Sequence, residues 1–493
     1  MKRSSQKKEP IWQQHLFWIC VLGAFSIRIC FLLSNQDRAW PFSIFYYGDS
    51  RHFYEQALNV LTGKQLENGI PFHPPAFPVV LAGLYRLVGA NIETGAVSHL
   101  AVKVFLALIN SFSVGFLAQT LKPFFNPRII VISCTLFTLH FGYSVLAIAP
   151  VSEGLYLTLL MFCLWQTAQF WSNRAAPPYA QEILRCLVLG TLPLLRAESL
   201  FWVTGLWILP WIPVLRSKQF RRALVSMVFF LPVGFWTLRN YQSLHRINQT
   251  QSYSEPLPQW VPLTLYGPLN LALANHPGAD GRFSPSLLSA SDHLDLNNPQ
   301  HLELLLHGQK PALHFIGNHP IDFLNLVLNK WALTLRVFNL GYGQTNFPNG
   351  LTGIRNPVDI FVGNKGWGLL SLPLFFWGIW QTRKNPKTKQ WFAFTIFQSL
   401  YFLAITAFFF GYTRQGLLFF WAWLPFLAIS LDKALDWLQR WIPAKITVWT
   451  IAAIVLCLSL WGTFSTRNFR ASGPTLPNGK LNPDAEIQLE ILE

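Results

Sequence analysis

The chain has 493 residues, of which 52% are hydrophobic, 15% aromatic and only 12% charged. Soluble domains carry about a quarter charged residues, so this balance excludes an ordinary water-soluble protein. The formal net charge of +16 does not indicate nucleic acid, because the cations fall in short runs between apolar segments and form no compact basic face.

Lys2, Arg3, Lys7 and Lys8 precede the first apolar stretch, 14–33. That stretch is long, contains Arg28 and ends without a small-residue cleavage site, so it predicts an uncleaved span and not a secretory signal. A polar segment follows, with Tyr46-Tyr47-Gly48-Asp49-Ser50-Arg51-His52-Phe53-Tyr54 and then His73-Pro74-Pro75-Ala76-Phe77-Pro78. Asp49 is the conspicuous residue: a carboxylate in a short polar loop beside a span is well placed to act as a base at the membrane surface. The plainer alternative is an N-cap, for which Asp-Ser before an apolar-periodic stretch is a good signal. Residues 74–90 are apolar but short and carry Arg86, which predicts an interfacial helix.

At about 20 apolar residues per membrane-crossing helix, spans are predicted at 14–33, 98–121, 128–147, 152–171, 183–198, 199–214, 222–239, 361–380, 391–410, 414–431 and 446–465, eleven in all. Residues 320–340 approach span length, yet hold Asp322, Asn325, Asn329, Lys330 and Arg336. That density of charge is costly inside a bilayer, so a juxtamembrane helix is expected there. With the N-terminus inside, the inner loops carry Lys122/Arg128, Arg174/Arg185, Arg216/Lys218/Arg221/Arg222, Arg383/Lys384/Lys387/Lys389 and Lys433/Arg440/Lys445, as the positive-inside rule demands. The predicted architecture is an all-α polytopic membrane protein. Residues 1–239 form an N-terminal module containing the first outer loop, 34–97. An outer-face cap spans 240–360, a second transmembrane module 361–465, and an outer tail 466–493. The six cysteines (Cys20, Cys30, Cys134, Cys163, Cys186, Cys457) all fall in apolar segments without CxxC or Cys/His spacing, which predicts neither disulfides nor a structural zinc.

Two further outer-face acids stand where a helix meets the interface: Glu153 in Pro150-Val151-Ser152-Glu153-Gly154, and Glu198 in Leu195-Arg196-Ala197-Glu198. Ionisable groups at membrane depth usually mark a substrate path; the alternatives are a cap for Glu153 and an Arg196–Glu198 surface pair. The outer-face cations are Arg196, Arg239, Arg355 and Arg414. Each either snorkels or offers a phosphate two parallel hydrogen bonds. No P-loop, dinucleotide-binding glycine pattern, HExxH or G-x-S-x-G is present.

These segments resemble the C-type (GT-C) glycosyltransferases that use lipid-linked sugars, especially the branch of the protein O-mannosyltransferases and the lipid A aminoarabinose transferase. The residues that carry the resemblance are Gly48-Asp49-Ser50-Arg51-His52-Phe53-Tyr54-Glu55-Gln56-Ala57, Pro71-Phe72-His73-Pro74-Pro75-Ala76-Phe77-Pro78, Ser152-Glu153-Gly154, Trp236-Thr237-Leu238-Arg239-Asn240-Tyr241, 269–281, and Arg414 ahead of Leu424-Pro425. Ser50 stands where the family often has a second acid, and Gln415 where a Tyr is usual.

The resemblance implies transfer of a sugar from a polyprenyl-phosphate donor to a protein, lipid or glycan acceptor on the extracytoplasmic face of a plasma or ER membrane, with inversion at C1. Asp49 would be the base, and Arg414, Arg239, Arg196 and Lys103 the candidates for the donor phosphate. Glu153, Glu198 and His73 would bind acceptor or a divalent ion. A transporter or flippase for a lipid-linked or anionic substrate is the competing class. Against it, the chain has no obvious inverted repeat and its polar residues crowd one face, not the bilayer midplane.

Overall fold

The computed structural model describes residues 11–33, 48–91, 96–173, 178–208, 220–283, 286–288, 294–339, 363–383 and 385–440. The expected span 446–465, the tail 466–493, Cys457, Arg355 and the basic residues Lys2, Arg3, Lys7, Lys8, Arg174, Arg216, Lys218, Lys384 and Lys445 lie outside them. Among the described residues every regular element is helical.

Among the described residues four helices are long and apolar enough to cross a membrane: Leu16–Leu33, His99–Leu121, Pro386–Phe408 and the helical run Thr413–Trp437. They coincide with expected spans 14–33, 98–121, 391–410 and 414–431. A fifth arises if Pro127–Leu139 and Gly142–Ile148, bent by 66°, count as one. The bend falls at His140, whose backbone is extended and whose ring is buried with Nε2 3.3 Å from the Val337 carbonyl. The described residues therefore supply four or five such helices by length and composition, where the sequence suggested eleven. Helices Ser152–Asn173 and Gly363–Thr382, of 22 and 20 residues, cover the expected span 152–171 and the described part of 361–380. Of the stretch read as two spans at 183–214, the described part runs to 208 and comprises the end of Tyr179–Thr191, two 3-10 turns around Pro193 and Glu198, and Leu200–Ile208. Hydropathy counts composition; it does not see where Pro193 removes a helical hydrogen bond.

The expected interfacial helix is Ala76–Leu87, which buries Phe77, Leu81, Leu84 and Tyr85 and exposes Val79 and Leu87. The expected juxtamembrane helix is Pro320–Leu335. It exposes Ile321, Leu324 and Leu328 as a stripe at helical spacing while Lys330 is buried on another face, the pattern of a helix lying in an interface. Phe201, Phe235, Phe376 and Leu224 are likewise two-thirds or more exposed, apolar surface that suits lipid and is rare on soluble monomers. The five described cysteines are free; Cys134, Cys163 and Cys186 are buried, while Cys30 is exposed.

The main core packs the spans around Leu157, Leu160, Phe137 and Trp421. A smaller core gathers Leu244, Leu257, Leu265, Leu269, Leu273, Leu302 and Leu305 of the expected cap, and takes in Ile70 from the first polar segment and Phe410 from the end of a span. The segments expected on one membrane face meet one another: Asp49, Glu153, Arg196, Glu198 and Arg414 form a single ionic cluster. Those expected on the other face also meet, where Arg128 pairs with Asp432 and Asp436 at 2.8 Å each.

Candidate active site

Helix Gly48–Leu61 places Asp49 in its first turn, where the helix dipole favours a carboxylate. The helix is anchored on the same side one and two turns further on, where Phe53 and Ala57 are buried and the Phe53 ring meets Phe77 edge-on at 5.1 Å. Asp49, at the outer end of that side, keeps 29% of its side chain exposed, and Arg414 Nη2 donates to its Oδ2 at 2.8 Å. Burial would raise the Asp49 carboxyl, but the Arg414 guanidinium, with His73 and Arg196 behind it, holds it below the usual carboxylate range.

Arg414 is aimed by the turn that precedes it. The Gly411 amide donates to the Gly281 carbonyl at 2.9 Å, and a Cβ at Gly411 would strike the Lys330 backbone. The Tyr412 hydroxyl accepts from the Phe283 amide at 2.6 Å, and the Thr413 hydroxyl donates to the Leu333 carbonyl at 3.2 Å. Arg414 then sits in the first turn of Thr413–Phe420. A cation is disfavoured at that end of a helix, and the two carboxylates around it, Asp49 and Glu153, offset the penalty.

Glu153 occupies the first turn of Ser152–Asn173 and is 1% exposed. Gly154 lets this turn approach closely, since a Cβ there would strike the Leu146 carbonyl, and Asn110 Nδ2 donates to the Gly154 carbonyl at 2.8 Å. Glu153 Oε1 lies between two guanidinium groups: Arg196 Nη1, and Arg414 Nε at 3.5 Å. Arg196 is also paired with Glu198. Burial would lower the Arg196 pKa, but Glu153 and Glu198 together raise it above its ordinary value. The cluster is thus three carboxylates and two guanidiniums, one net negative charge, closed at Glu153 and open at Asp49. A divalent ion on Glu153 would have to face both arginines, so the geometry does not suit Glu153 as a metal ligand.

The remaining sequence candidates sit elsewhere. Lys103 is fully buried in His99–Leu121. Arg239 donates to the Gly69 and Leu66 carbonyls at 3.1 and 3.4 Å and lies over the Trp236 ring, so it braces the Leu66–Gly69 turn. His73 is drawn to Glu67, with Nδ1 2.6 Å from Oε1. Glu67 and His52, which sequence reasoning passed over as site residues, complete a second group with His73. Burial would raise the Glu67 carboxyl, but hydrogen bonds and positive charge from His52 and His73 hold it down at about 2.

No protein-family model and no curated protein matches the chain. Among solved structures it is similar to the apo form of the Archaeoglobus fulgidus oligosaccharyltransferase, with 13% identity and a TM-score of 0.45 over 98% of this chain and 60% of that one. It is also similar to the same enzyme in complex with Zn and sulfate, with 13% identity and a TM-score of 0.41 over 91% of this chain and 53% of that one. The chain therefore spans less than two thirds of the length of the protein it is similar to.

Proposed function

We propose that this chain is a membrane glycosyltransferase of the C-type class, moving a sugar from a polyprenyl-phosphate donor to an acceptor at the extracytoplasmic membrane surface with inversion at C1. The observation that carries the reading is the Asp49–Arg414 pair at 2.8 Å. It is a solvent-reachable carboxylate against a guanidinium that a second, buried carboxylate helps to hold. Inverting transfer needs these two groups: a base for the acceptor proton and a fixed cation for the departing phosphate.

The pairing also suggests an order of events. While Arg414 lies on Asp49, the carboxylate is held at low pKa and is a poor base. A donor phosphate that takes hydrogen bonds from Arg414 competes with Asp49 for them, and so loosens the hold on the base as the donor binds. Asp49 then accepts the acceptor proton while the acceptor oxygen or nitrogen attacks C1, and the C1–O bond to phosphate breaks. Glu153 keeps Arg414 and Arg196 from swinging toward solvent, and Glu198 restrains Arg196 from the other side. Arg239 acts at one remove, through the Leu66–Gly69 turn, and Lys103 stays inside the helix bundle.

The test is purified protein in lipid nanodiscs with a panel of polyprenyl-phosphate-linked sugars, following release of free polyprenyl phosphate by mass spectrometry. Asp49→Asn is nearly isosteric and removes only the base. It should lower turnover by about 10² to 10⁴ while leaving polyprenyl phosphate binding in place. Wild-type turnover in that variant would move the base elsewhere and remove the central support of the reading.

A further inference from the structure

The first polar segment carries a second constellation that the ionic cluster does not use. His52 lies one helical turn after Asp49, Glu67 sits in the Leu66–Gly69 3-10 turn, and His73 opens the His73-Pro74-Pro75 run. One ligand atom from each lies within 4.8 Å of the other two. Glu67 Oε1 is 2.8 Å from His52 Nε2 and 2.6 Å from His73 Nδ1.

The carboxylate is presented by its backbone. Glu67 Oε2 accepts the amides of Phe72 and His73 at 2.7 and 2.9 Å, which turns Oε1 toward the two imidazoles. Glu67 and Asn68 hold φ of +49° and +53°, a left-handed conformation that non-glycine residues seldom adopt. The Gln56 amide oxygen accepts the Glu67 amide at 2.7 Å, and Arg239 grips the Leu66 and Gly69 carbonyls on either side. Outer hydrogen bonds that orient a ligand in this way are typical of metal sites. The two rings are packed with centroids 4.1 Å apart. Glu67 is 7% exposed but His52 and His73 are 28% and 35% exposed, so the group is reachable from solvent.

We propose that His52, Glu67 and His73 form a binding site for a zinc-class transition-metal ion, with Nε2, Oε1 and Nδ1 as ligands and a further position open to water or a phosphate oxygen. Two nitrogen ligands select zinc, cobalt, nickel or iron over magnesium, calcium and manganese, which prefer oxygen shells. Three protein ligands with an open fourth position are the arrangement of catalytic and not structural zinc sites. Metal bonds of about 2.0–2.2 Å require the ligand atoms to move apart by less than about 1 Å, which half-exposed histidine rings can supply. On binding, any proton carried on Nε2 or Nδ1 moves to the other ring nitrogen or to solvent. A divalent ion with Glu67 then adds one net positive charge beside a cluster that carries one net negative charge. The inference stands on this group's own geometry and does not depend on the transfer reading.

The test uses full-length protein without a polyhistidine tag, stripped with chelator and titrated with Co²⁺ in detergent. Wild type should bind one equivalent with the visible bands of a four- or five-coordinate site, and Zn²⁺ should displace it while Mg²⁺ should not. Glu67→Gln, His52→Asn and His73→Ala should each weaken Co²⁺ binding by at least 10- to 100-fold, and Asp49→Asn should bind as wild type does. Thermal unfolding of each variant separates lost ligands from lost fold, with His52→Asn the safest because its side chain is partly exposed. Wild-type binding no tighter than that of folded His52→Asn overturns the proposal and leaves a carboxylate hydrogen-bonded by two imidazoles. Loss of Co²⁺ in Asp49→Asn overturns it too, by placing the ion at Asp49.

Discussion

Replacing Arg414 separates a phosphate ligand from a headgroup anchor. Its side chain is 23% exposed, donates to Asp49 at 2.8 Å and approaches Glu153 at 3.5 Å. A hydrogen bond to a charged group contributes about 1.5–3 kcal/mol, so a guanidinium fork on a phosphate contributes roughly 3–6 kcal/mol. Arg414→Ala should therefore weaken polyprenyl phosphate binding roughly 10²- to 10⁴-fold. Arg414→Lys keeps the charge but not the fork, and should lose about half of that free energy. A second signature comes from the partner. Burial pushes the Asp49 carboxyl up and Arg414 leads the groups that hold it down, so Arg414→Ala should move the acid limb of residual kcat/KM to higher pH. Arg414→Lys should leave it nearly in place. The assays are equilibrium binding of a short-chain polyprenyl phosphate in nanodiscs and turnover across acid pH. Unchanged lipid affinity in Arg414→Ala, together with an unmoved acid limb, refutes the reasoning and makes Arg414 an anchor.

Acid stability should report on Glu67. Its pKa falls from 4.5 to about 2 on folding, so its contribution, on the order of 3 kcal/mol, is full above the unfolded value and fades as pH drops toward 2. Metal-free wild type should lose thermal stability across that window more steeply than Glu67→Gln, and parallel losses would contradict this. Gly411→Ala forces a methyl against the Lys330 backbone, an overpacking cost of about 1–3 kcal/mol. Displacing the Arg414 turn should cost turnover more than unfolding temperature, and intact turnover would show that the turn tolerates the shift. In intact cells, a cysteine introduced at position 270 should react with an impermeant reagent from outside and one at position 386 should not. Labelling at 386 would invert the topology.

The sequence already held the members of the ionic cluster, because Asp49, Glu153, Arg196, Glu198 and Arg414 are ions beside or between apolar stretches, and ions are conspicuous there. Arg239 gave the same signal for a different job. Its partners are the carbonyls of Leu66 and Gly69, some 170 residues away, and backbone carbonyls leave no mark in a sequence. Glu67 was illegible for a related reason. Asn68-Gly69 announces a turn, but the left-handed φ at Glu67, which turns its carboxylate on His52 and His73, depends on contacts with Gln56 and Arg239. Span counting says least where helices break. Composition over 183–214 reads as two crossings, yet Pro193 and the Arg196-Ala197-Glu198 turn divide it into short pieces.

The helical run Thr413–Trp437 behaves as an indexed spindle. Arg414 projects near one end, and near the other Asp432 and Asp436 are clasped by Arg128. Eighteen residues separate Arg414 from Asp432, about 27 Å of helix, and a slip of one residue would rotate either end by about 100°. The Arg128 clasp therefore indexes one end of the run while the Gly411–Thr413 turn indexes the other, about a bilayer's thickness away. Residues at the far end of the run thus bear on the geometry of the Asp49–Arg414 pair.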